Sequence, residues 1–337
     1  MKFNEIGEFG FIESIKKQCS TSSKNVIKGI GDDCAVFRAN SNRVFLFTTD
    51  MLVEDVHFLM DKITPYQLGW KSVAVNLSDI AAMGGIPLHV LISIGIPVKT
   101  DVELIKDLYR GMNDICSHYN VNILGGDTVA SKDKLIINIS LLGDGEEHSV
   151  LYRHGAGPGD KVYLTGNVGD SAAGLNILQN KISFSYTDKD YFIKAHNEPW
   201  PLVETGRIIA TSQLAGAMID LSDGLLSDLG HICEESKVGA SIFEEQIPLS
   251  RELRLLSSRE NFNPLELALS GGEDYVLLFT APEKNIHAIE QLSREKDISP
   301  IVMIGEITNE EGIRLIDRYG KSTFVRPKGF DHFSELS

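Results

Sequence analysis

The 337-residue chain is poor in the features that mark membrane, nucleic-acid-binding or secreted proteins. No uninterrupted apolar run approaches the ~20 residues needed to cross a bilayer, so a spanning helix is excluded. Base is not in excess: 32 Lys and Arg face 47 Asp and Glu, a formal net charge of −15. Nucleic acid and anionic membrane both require a basic face, and neither is expected as a partner. Cysteine is scarce, and Cys19, Cys34, Cys116 and Cys233 show no paired spacing. They read as free thiols in a reducing, cytoplasmic setting rather than as a disulfide frame. Residues 1–11 carry Glu5 and Glu8 and no basic segment followed by an apolar one, so no leader is expected.

Several catalytic signatures are missing as well. There is no G-x-x-x-x-G-K-[ST] phosphate loop, no G-x-G-x-x-G after a strand, no protein-kinase signature and no G-x-S-x-G elbow. The nine histidines never fall into H-E-x-x-H or another zinc spacing. Zinc chemistry and nucleophilic catalysis are therefore unsupported.

What remains is an ordinary globular composition, 42% hydrophobic and 23% charged, and a length that suggests two domains. Strands are expected at 44–49, 88–96, 121–124 and 135–143, with helices from Pro65 to near Gly84-Gly85 and over 102–119. A glycine-rich segment at 154–160 is the best junction, dividing 1–150 from 151–337. Beyond it, strands are expected at 161–165, 217–221, 275–280 and 301–307, and helices at 170–179, 225–235 and 285–294. The interleaving lacks the steady rhythm of a doubly wound sheet and shows no internal repeat. An α+β fold with mixed sheets is expected.

Carboxylates recur beside glycine, serine or threonine where apolar runs end. They stand in Gly31-Asp32-Asp33, Thr48-Thr49-Asp50, Asn76-Leu77-Ser78-Asp79, Gly125-Gly126-Asp127, Asp220-Leu221-Ser222-Asp223-Gly224 and Gly271-Gly272-Glu273-Asp274. Asp and Gly also form turns, and Asp or Ser before a helix is the expected cap, so Asp32, Asp127 and Ser222-Asp223 each have an ordinary local explanation. Asp79 resists it. Its helix carries Trp70, Val73, Ala74, Val75, Leu77, Ile80, Ala81 and Ala82, apolar on nearly every face. Such a helix is buried, and a buried carboxylate needs a cation or hydrogen-bond donors; a metal ion is the economical partner, ahead of a distant Lys or Arg. Asp50 ends an apolar strand after two threonines, where sites gather in mixed folds. Carboxylates, hydroxyls and carbonyls are the oxygen donors that hard Mg²⁺ prefers. Arg153 is either a phosphate clamp or a solvated arginine. A carboxylate-rich site suits a reaction in which metals bridge two phosphorylated ligands.

Read together and in order, these motifs resemble the thiamine-monophosphate kinase family. The resemblance rests on Gly29-Ile30-Gly31-Asp32-Asp33, Thr48 to Val53 with His57-Phe58, and Ala74-Val75-Asn76-Leu77-Ser78-Asp79-Ile80-Ala81-Ala82-Met83-Gly84. It continues in Gly125-Gly126-Asp127-Thr128, Ile219-Asp220-Leu221-Ser222-Asp223-Gly224-Leu225, Ser270-Gly271-Gly272-Glu273-Asp274-Tyr275 and the tail Lys328-Gly329-Phe330-Asp331-His332-Phe333. The wider superfamily includes aminoimidazole ribonucleotide synthetase, selenophosphate synthetase and a hydrogenase maturation protein.

The resemblance implies a two-domain aminoimidazole ribonucleotide synthetase-like fold. Its N-terminal mixed α/β domain would bind metal and ATP and dimerise, the sheets forming a barrel across a homodimer. The C-terminal α/β sandwich domain would complete the nucleotide and substrate site. ATP would be the co-substrate and thiamine monophosphate the acceptor, giving thiamine diphosphate in the last step of its biosynthesis. Asp33, Thr48, Thr49, Asp50, Asp79, Asp127, Asp220 and Asp223 would hold several Mg²⁺ ions. Tyr119, Gly126, Asp127, Arg153 and Ser222 would contact ATP, and His57, Glu273 and Phe330 the thiamine substrate. The acceptor's second pKa of ~6 leaves it largely dianionic at neutral pH, so direct in-line transfer needs no general base. Three positions depart from the family's usual run: Asp55 where glycine is common, Val276 where glutamate often stands, and Phe330 where tyrosine often stands. Two rivals remain: another ATP-dependent member of the superfamily, such as a selenophosphate synthetase-like enzyme, and a non-catalytic divalent-metal-binding protein.

Overall fold

The computed structural model describes residues 3–16, 19, 25–181, 189–260, 262–295 and 298–326. The first half runs α1 (Phe3–Lys16), β1 (Val26–Lys28), β2 (Ala35–Arg38), β3 (Arg43–Val53), α2 (Pro65–Ala82), β4 (Ile86–Pro97), α3 (Val102–His118), β5 (Asn122–Ser131) and β6 (Ile136–Glu146). The second half opens with β7 (Lys161–Leu164), α4 (Asp170–Leu178), α5 (Lys189–Asn197), α6 (Val203–Ser212), β8 (Ala217–Asp220), α7 (Leu225–Ser236) and β9 (Gly239–Phe243). It closes with α8 (Arg251–Glu260), α9 (Pro264–Ser270), β10 (Leu277–Ala281), α10 (Ile286–Glu295), β11 (Val302–Thr308), β12 (Gly312–Ile316) and β13 (Ser322–Val325). Among the described residues no helix is long and apolar enough to cross a membrane.

Two mixed sheets result. The first is ordered β1-β2-β3-β6-β4-β5 and the second β13-β12-β9-β11-β7-β10-β8. Only β4–β5 and β9–β12 pair in parallel. Alternation along β3 sends Val44, Leu46, Thr48 and Leu52 inward and leaves Phe47 and Met51 exposed on the outer face. Leu91 of β4 and Val129 of β5 are exposed as well.

Helix α2 ties the sheets together. Thr64 caps it: its hydroxyl accepts the Gln67 N–H at 3.2 Å while Gln67 accepts the Thr64 N–H at 3.0 Å, with Pro65 following at the first turn. Nearly every residue from Leu68 to Ala82 is buried, because α2 packs on β3 and β6 of one sheet and on β8 of the other. Strand alternation in the second sheet does the rest. Tyr163, Met218 and Phe279 join the core around α2, while Val162, Leu164, Ile219 and Leu278 face a second core with Leu225, Leu229 and Ile232 of α7. The first half and the second sheet thus share one hydrophobic core.

One expectation is corrected. The glycines at 125–126 do not end a short strand at 124; they lie inside β5, an edge strand that runs on to Ser131. The register slips between Val90 and Leu91, leaving an extra residue on β5, and both glycines have positive φ. A Cβ on Gly126 would meet the Ile92 carbonyl oxygen at 1.6 Å. Two adjacent glycines signal a strand end in sequence, and here they form a bulge within the strand. The strand expected from 275 begins instead at Leu277, after Tyr275 at φ 50°.

Close helix packing generates a stability prediction. At the α2–α3 crossing a Cβ on Gly69 would lie 1.9 Å from the Leu108 oxygen, and one on Gly111 2.0 Å from the Tyr66 oxygen. Gly111→Ala is expected to cost about 2 kcal/mol of stability by forcing the helices apart. Chemical denaturation measures this, and an unchanged midpoint would contradict so close a crossing.

Candidate active site

Four acidic side chains meet where α2, β3, β8 and the loop before β2 converge. Carboxylate oxygens of Asp33, Asp79 and Asp220 all lie within 4.8 Å of one another. The Thr48 hydroxyl makes a short hydrogen bond to Asp79 Oδ2, and Ser78 donates to Asp220 Oδ2 at 2.5 Å. Asn76, one turn before Ile80 on α2, accepts the Asp50 N–H at 3.2 Å and so fixes β3 against the helix; Asp50 lies inside β3, which pairs with β6 as far as Val53, and not at a strand end as expected. Opposing this charge is Arg153, whose Nη2 and Nε reach Asp33 Oδ1 at 2.6 and 3.2 Å. Asp32, beside it, accepts the Arg153 N–H at 3.2 Å and pairs with Lys28 at 3.1 Å.

Desolvation and mutual repulsion dominate the electrostatics. Burial, then Asp33, pushes Asp50 up to about 6, although a hydrogen bond with Asp79 opposes the shift. Burial, then Asp33, raises Asp220 to about 7 against the pull of Ser78 and Arg153. Asp79 is raised well above the usual carboxylate range by burial and by Asp50, Asp220 and Asp33. Thr48 donates to Asp79, Asp50 shares a hydrogen bond with it, and no lysine or arginine among the described residues bonds it, an arrangement that a metal ion fits. Asp33 Oδ2 is buried and has no hydrogen-bond partner. An orphaned carboxylate oxygen among desolvated acids, near the Thr48 and Ser78 hydroxyls, fits a hard divalent cation.

The other expected residues fall into three groups. Ser222 and Asp223 lie on the β8–α7 turn next to Asp220. Gly224 stands at the N-cap of α7 with no side-chain cap, and Asp228 within the helix accepts the Asp223 and Gly224 N–H groups at 3.2 and 3.0 Å. Asp223, Asp228 and His231 form a second group with the spacing to hold a metal. Glu273 lies on the neighbouring loop, its N–H donating to the Ser222 oxygen at 2.7 Å. His57 contributes to the field at Glu273, and its Nδ1 accepts the Val53 N–H at 3.0 Å.

Thr49, Asp127 and Gly126 are not brought to the cluster within one chain. Thr49 points to the outer face and bonds Ile139 and Ser140 at 3.1 Å. The register runs from Asp50 to Ile139, Ile92 and Gly126. Three strand spacings, about 14 Å, therefore separate Asp50 from the β5 edge. Tyr119 belongs to an aromatic cluster with His118 and Trp200, its hydroxyl donating to the Pro201 oxygen at 2.6 Å. Phe330 lies outside the described residues.

The sequence reading passed over Asn76, Ser78, Asp228 and His231 as functional residues, and also Lys71 and His196. Only Lys71 left a clear signal, a charge in an otherwise apolar helix. Asp55 adopts φ 67°, which explains why glycine suits its position, and it pairs with Lys134.

Comparison with known proteins agrees with this geometry. Residues 31–144 match the N-terminal domain and 157–318 the C-terminal domain of the AIR synthase related proteins. A thiamine-monophosphate kinase of Buchnera aphidicola subsp. Schizaphis graminum is 43% identical over 335 residues, covering 98% of this chain and 99% of its own. The chain belongs to the thiamine-monophosphate kinase family. An Escherichia coli K12 thiamine-monophosphate kinase is 39% identical over 97% of this chain and 98% of its own. A solved structure, AaThiL complexed with AMPPCP and TMP, superposes with a TM-score of 0.86 at 36% identity, covering 98% of this chain and 99% of that one.

Cys34 is buried beside the acids, and burial, then Asp79, pushes its thiol well above the ordinary range.

The raised carboxyls set a pH dependence. Each keeps its proton in the folded chain to higher pH than in the unfolded chain, where 3.8 applies. Their stabilising contribution is full below that value and is lost as pH rises through about 6 and 7. A divalent cation that binds the ionised form would restore it. Thermal melts should therefore show a larger Mg²⁺-induced rise in Tm at pH 8 than at pH 5. Equal rises would mean that these carboxyls do not bind the ion.

Proposed function

We propose that this chain phosphorylates thiamine monophosphate with ATP, giving thiamine diphosphate and ADP. The observation that carries it is the match in fold and sequence, over nearly the whole chain, to a protein complexed with AMPPCP and TMP, with acids from both halves meeting at one point. In the transfer, the bond from the γ-phosphorus to the β–γ bridging oxygen breaks. A new bond forms to a phosphate oxygen of the acceptor, which has already lost its proton, so no side chain need remove one.

The residues divide by role in this reading. Asp33, Thr48, Asp50, Asp79, Asp220 and Asp223 would hold Mg²⁺, which would neutralise phosphate charge, while Thr49, on the outer face of β3, is left out of this set. Arg153, already bonded to Asp33, and Ser222 on the β8–α7 turn face ATP. Tyr119 offers its ring to the nucleotide, since its hydroxyl is engaged with Pro201. His57 and Glu273, with Phe330, hold the thiamine part, the carboxylate against the cationic thiazolium and the aromatic ring stacking. Residues 1–150 serve as the metal-binding and dimerising part and 151–337 as the part that completes the site. Free thiols at all four cysteines support a reducing, cytoplasmic setting.

Two observations support a homodimer. Phe47, Met51, Leu91 and Val129 expose apolar surface on the outer face of the first sheet, as a barrel formed across two copies would require. Asp127 and Gly126 stand too far from Asp50 to serve the same chain's cluster, so we assign the metal and nucleotide contacts at these positions to Asp127 and Gly126 of the partner subunit.

The primary test is an endpoint assay with ATP, Mg²⁺ and thiamine monophosphate, with free thiamine in parallel. Product from the monophosphate alone, abolished by EDTA, is expected; no product despite ATP binding would overturn the acceptor assignment. Shared sites predict a second result. Asp50→Asn and Asp127→Asn should each be inactive. Mixed after exchange of subunits, they should regain up to about a quarter of wild-type activity, because half the dimers then carry one intact site. No regain would place Asp127 in its own chain's site or outside it.

A further inference from the structure

Away from the acid cluster, α2 carries a buried lysine that the phosphoryl-transfer scheme does not use. The Lys71 side chain is 1% exposed. Its ammonium has three donors, and each has a partner: Glu273 Oε1 at 3.0 Å, Glu273 Oε2 at 3.1 Å and His196 Nε2 at 3.5 Å. An ammonium has no lone pair, so His196 Nε2 must accept. The His196 proton is then on Nδ1, which lies 3.2 Å from Glu273 Oε2 and 3.1 Å from Ser171 Oγ. Burial, then Lys71, pushes His196 down to about 4, which agrees with a neutral ring.

Glu273 is thus held from two sides. Its backbone adopts φ 64°, and Tyr275 two residues on adopts φ 50°. Between them the Asp274 carboxylate accepts the Gly169 and Ser171 N–H groups at 2.7 and 3.3 Å. This loop is pinned to the second half of the chain, while the carboxylate is gripped by a lysine from the first. Burial alone would raise Glu273, but the Lys71 ammonium outweighs it and keeps it below its usual value. The grip takes the inner edge of the carboxylate and leaves the side chain 27% exposed.

We propose that Lys71 is a positioning residue that holds the Glu273 carboxylate in place for the cationic ring of the acceptor. The proposal rests on the thiamine-monophosphate reading above and deepens it. With all three donors engaged, Lys71 has none left for a phosphate, so it acts through Glu273. Eight residues on, the same helix presents Asp79, a rise of about 12 Å. One rigid element therefore spaces the anchor for the cationic ring from the acids that face the phosphates.

The test is a double-mutant cycle on the full chain with ATP and thiamine monophosphate. Lys71→Met and Glu273→Gln are each expected to raise the acceptor KM about tenfold while the ATP KM stays within about twofold. These sizes correspond to about 1.4 kcal/mol and less than 0.5 kcal/mol. The double variant should be no worse than either single one, and Lys71→Arg should recover most of the loss. If Lys71→Met does not fold, Lys71→Arg and the double variant, which buries no unpaired charge, carry the comparison. Equal changes in both KM values, or effects that multiply in the double variant, would overturn the positioning role while leaving the reaction in place. A wild-type protein that binds ATP yet leaves thiamine monophosphate unchanged would overturn the reading beneath it as well.

Discussion

Repulsion among Asp33, Asp50, Asp79 and Asp220 is the constraint on which the rest of the architecture depends. Carboxylates this close, removed from water, stay together only if the backbone leaves them no alternative. The chain meets this by drawing them from a loop, the interior of β3, a helix and the end of β8, each held by a different part of the core. Helix α2 is central because it packs on both sheets, and Asn76, Ser78 and Asp79 connect it to each acidic element. A single guanidinium, that of Arg153, bonds Asp33. The remaining charge suits cations that arrive with polyphosphate, which explains how an acidic chain can work on anionic substrates.

Glu273 obeys the opposite rule. Its charge is balanced inside the protein by Lys71, with a neutral His196 alongside. The two anionic regions therefore differ in kind. One is deficient in cations and suits a metal ion that comes with phosphate, and the other is compensated and stays ionised without help. A ligand with a cationic ring at one end and a phosphate at the other matches this division. The backbone strain at Glu273 and Tyr275 is located at the compensated end, where a side chain must be aimed rather than merely buried.

The first sheet carries a related economy. Its inner face supplies Thr48 and Asp50 to the acids, and its outer face carries Phe47 and Met51. One strand, by alternation alone, serves both the candidate site and the apolar surface. The glycine bulge in β5 brings bare backbone to the edge of the same sheet, since no side chain fits at Gly126.

Much of this was legible in the sequence. The apolar helix with Asp79 inside it, the threonines before Asp50 and the recurrent Gly-Asp turns are local patterns, and local patterns are set by helix and strand periods and by turn chemistry. The family motifs extended that reading to most of the candidate residues. The bulge at Gly125-Gly126 was misread, because glycine pairs look alike at a strand end and inside a strand until the neighbouring strand is present. Lys71 and His196 were passed over because their significance lies in Glu273, some two hundred residues from Lys71 in the chain. The sequence by itself determined which segments are helix or strand and which carry oxygen donors. Tertiary structure alone decided which donors meet, which lysine neutralises which glutamate, and that Asp127 stands three strands from Asp50, because charge pairing and strand order depend on distances in space that no local pattern encodes.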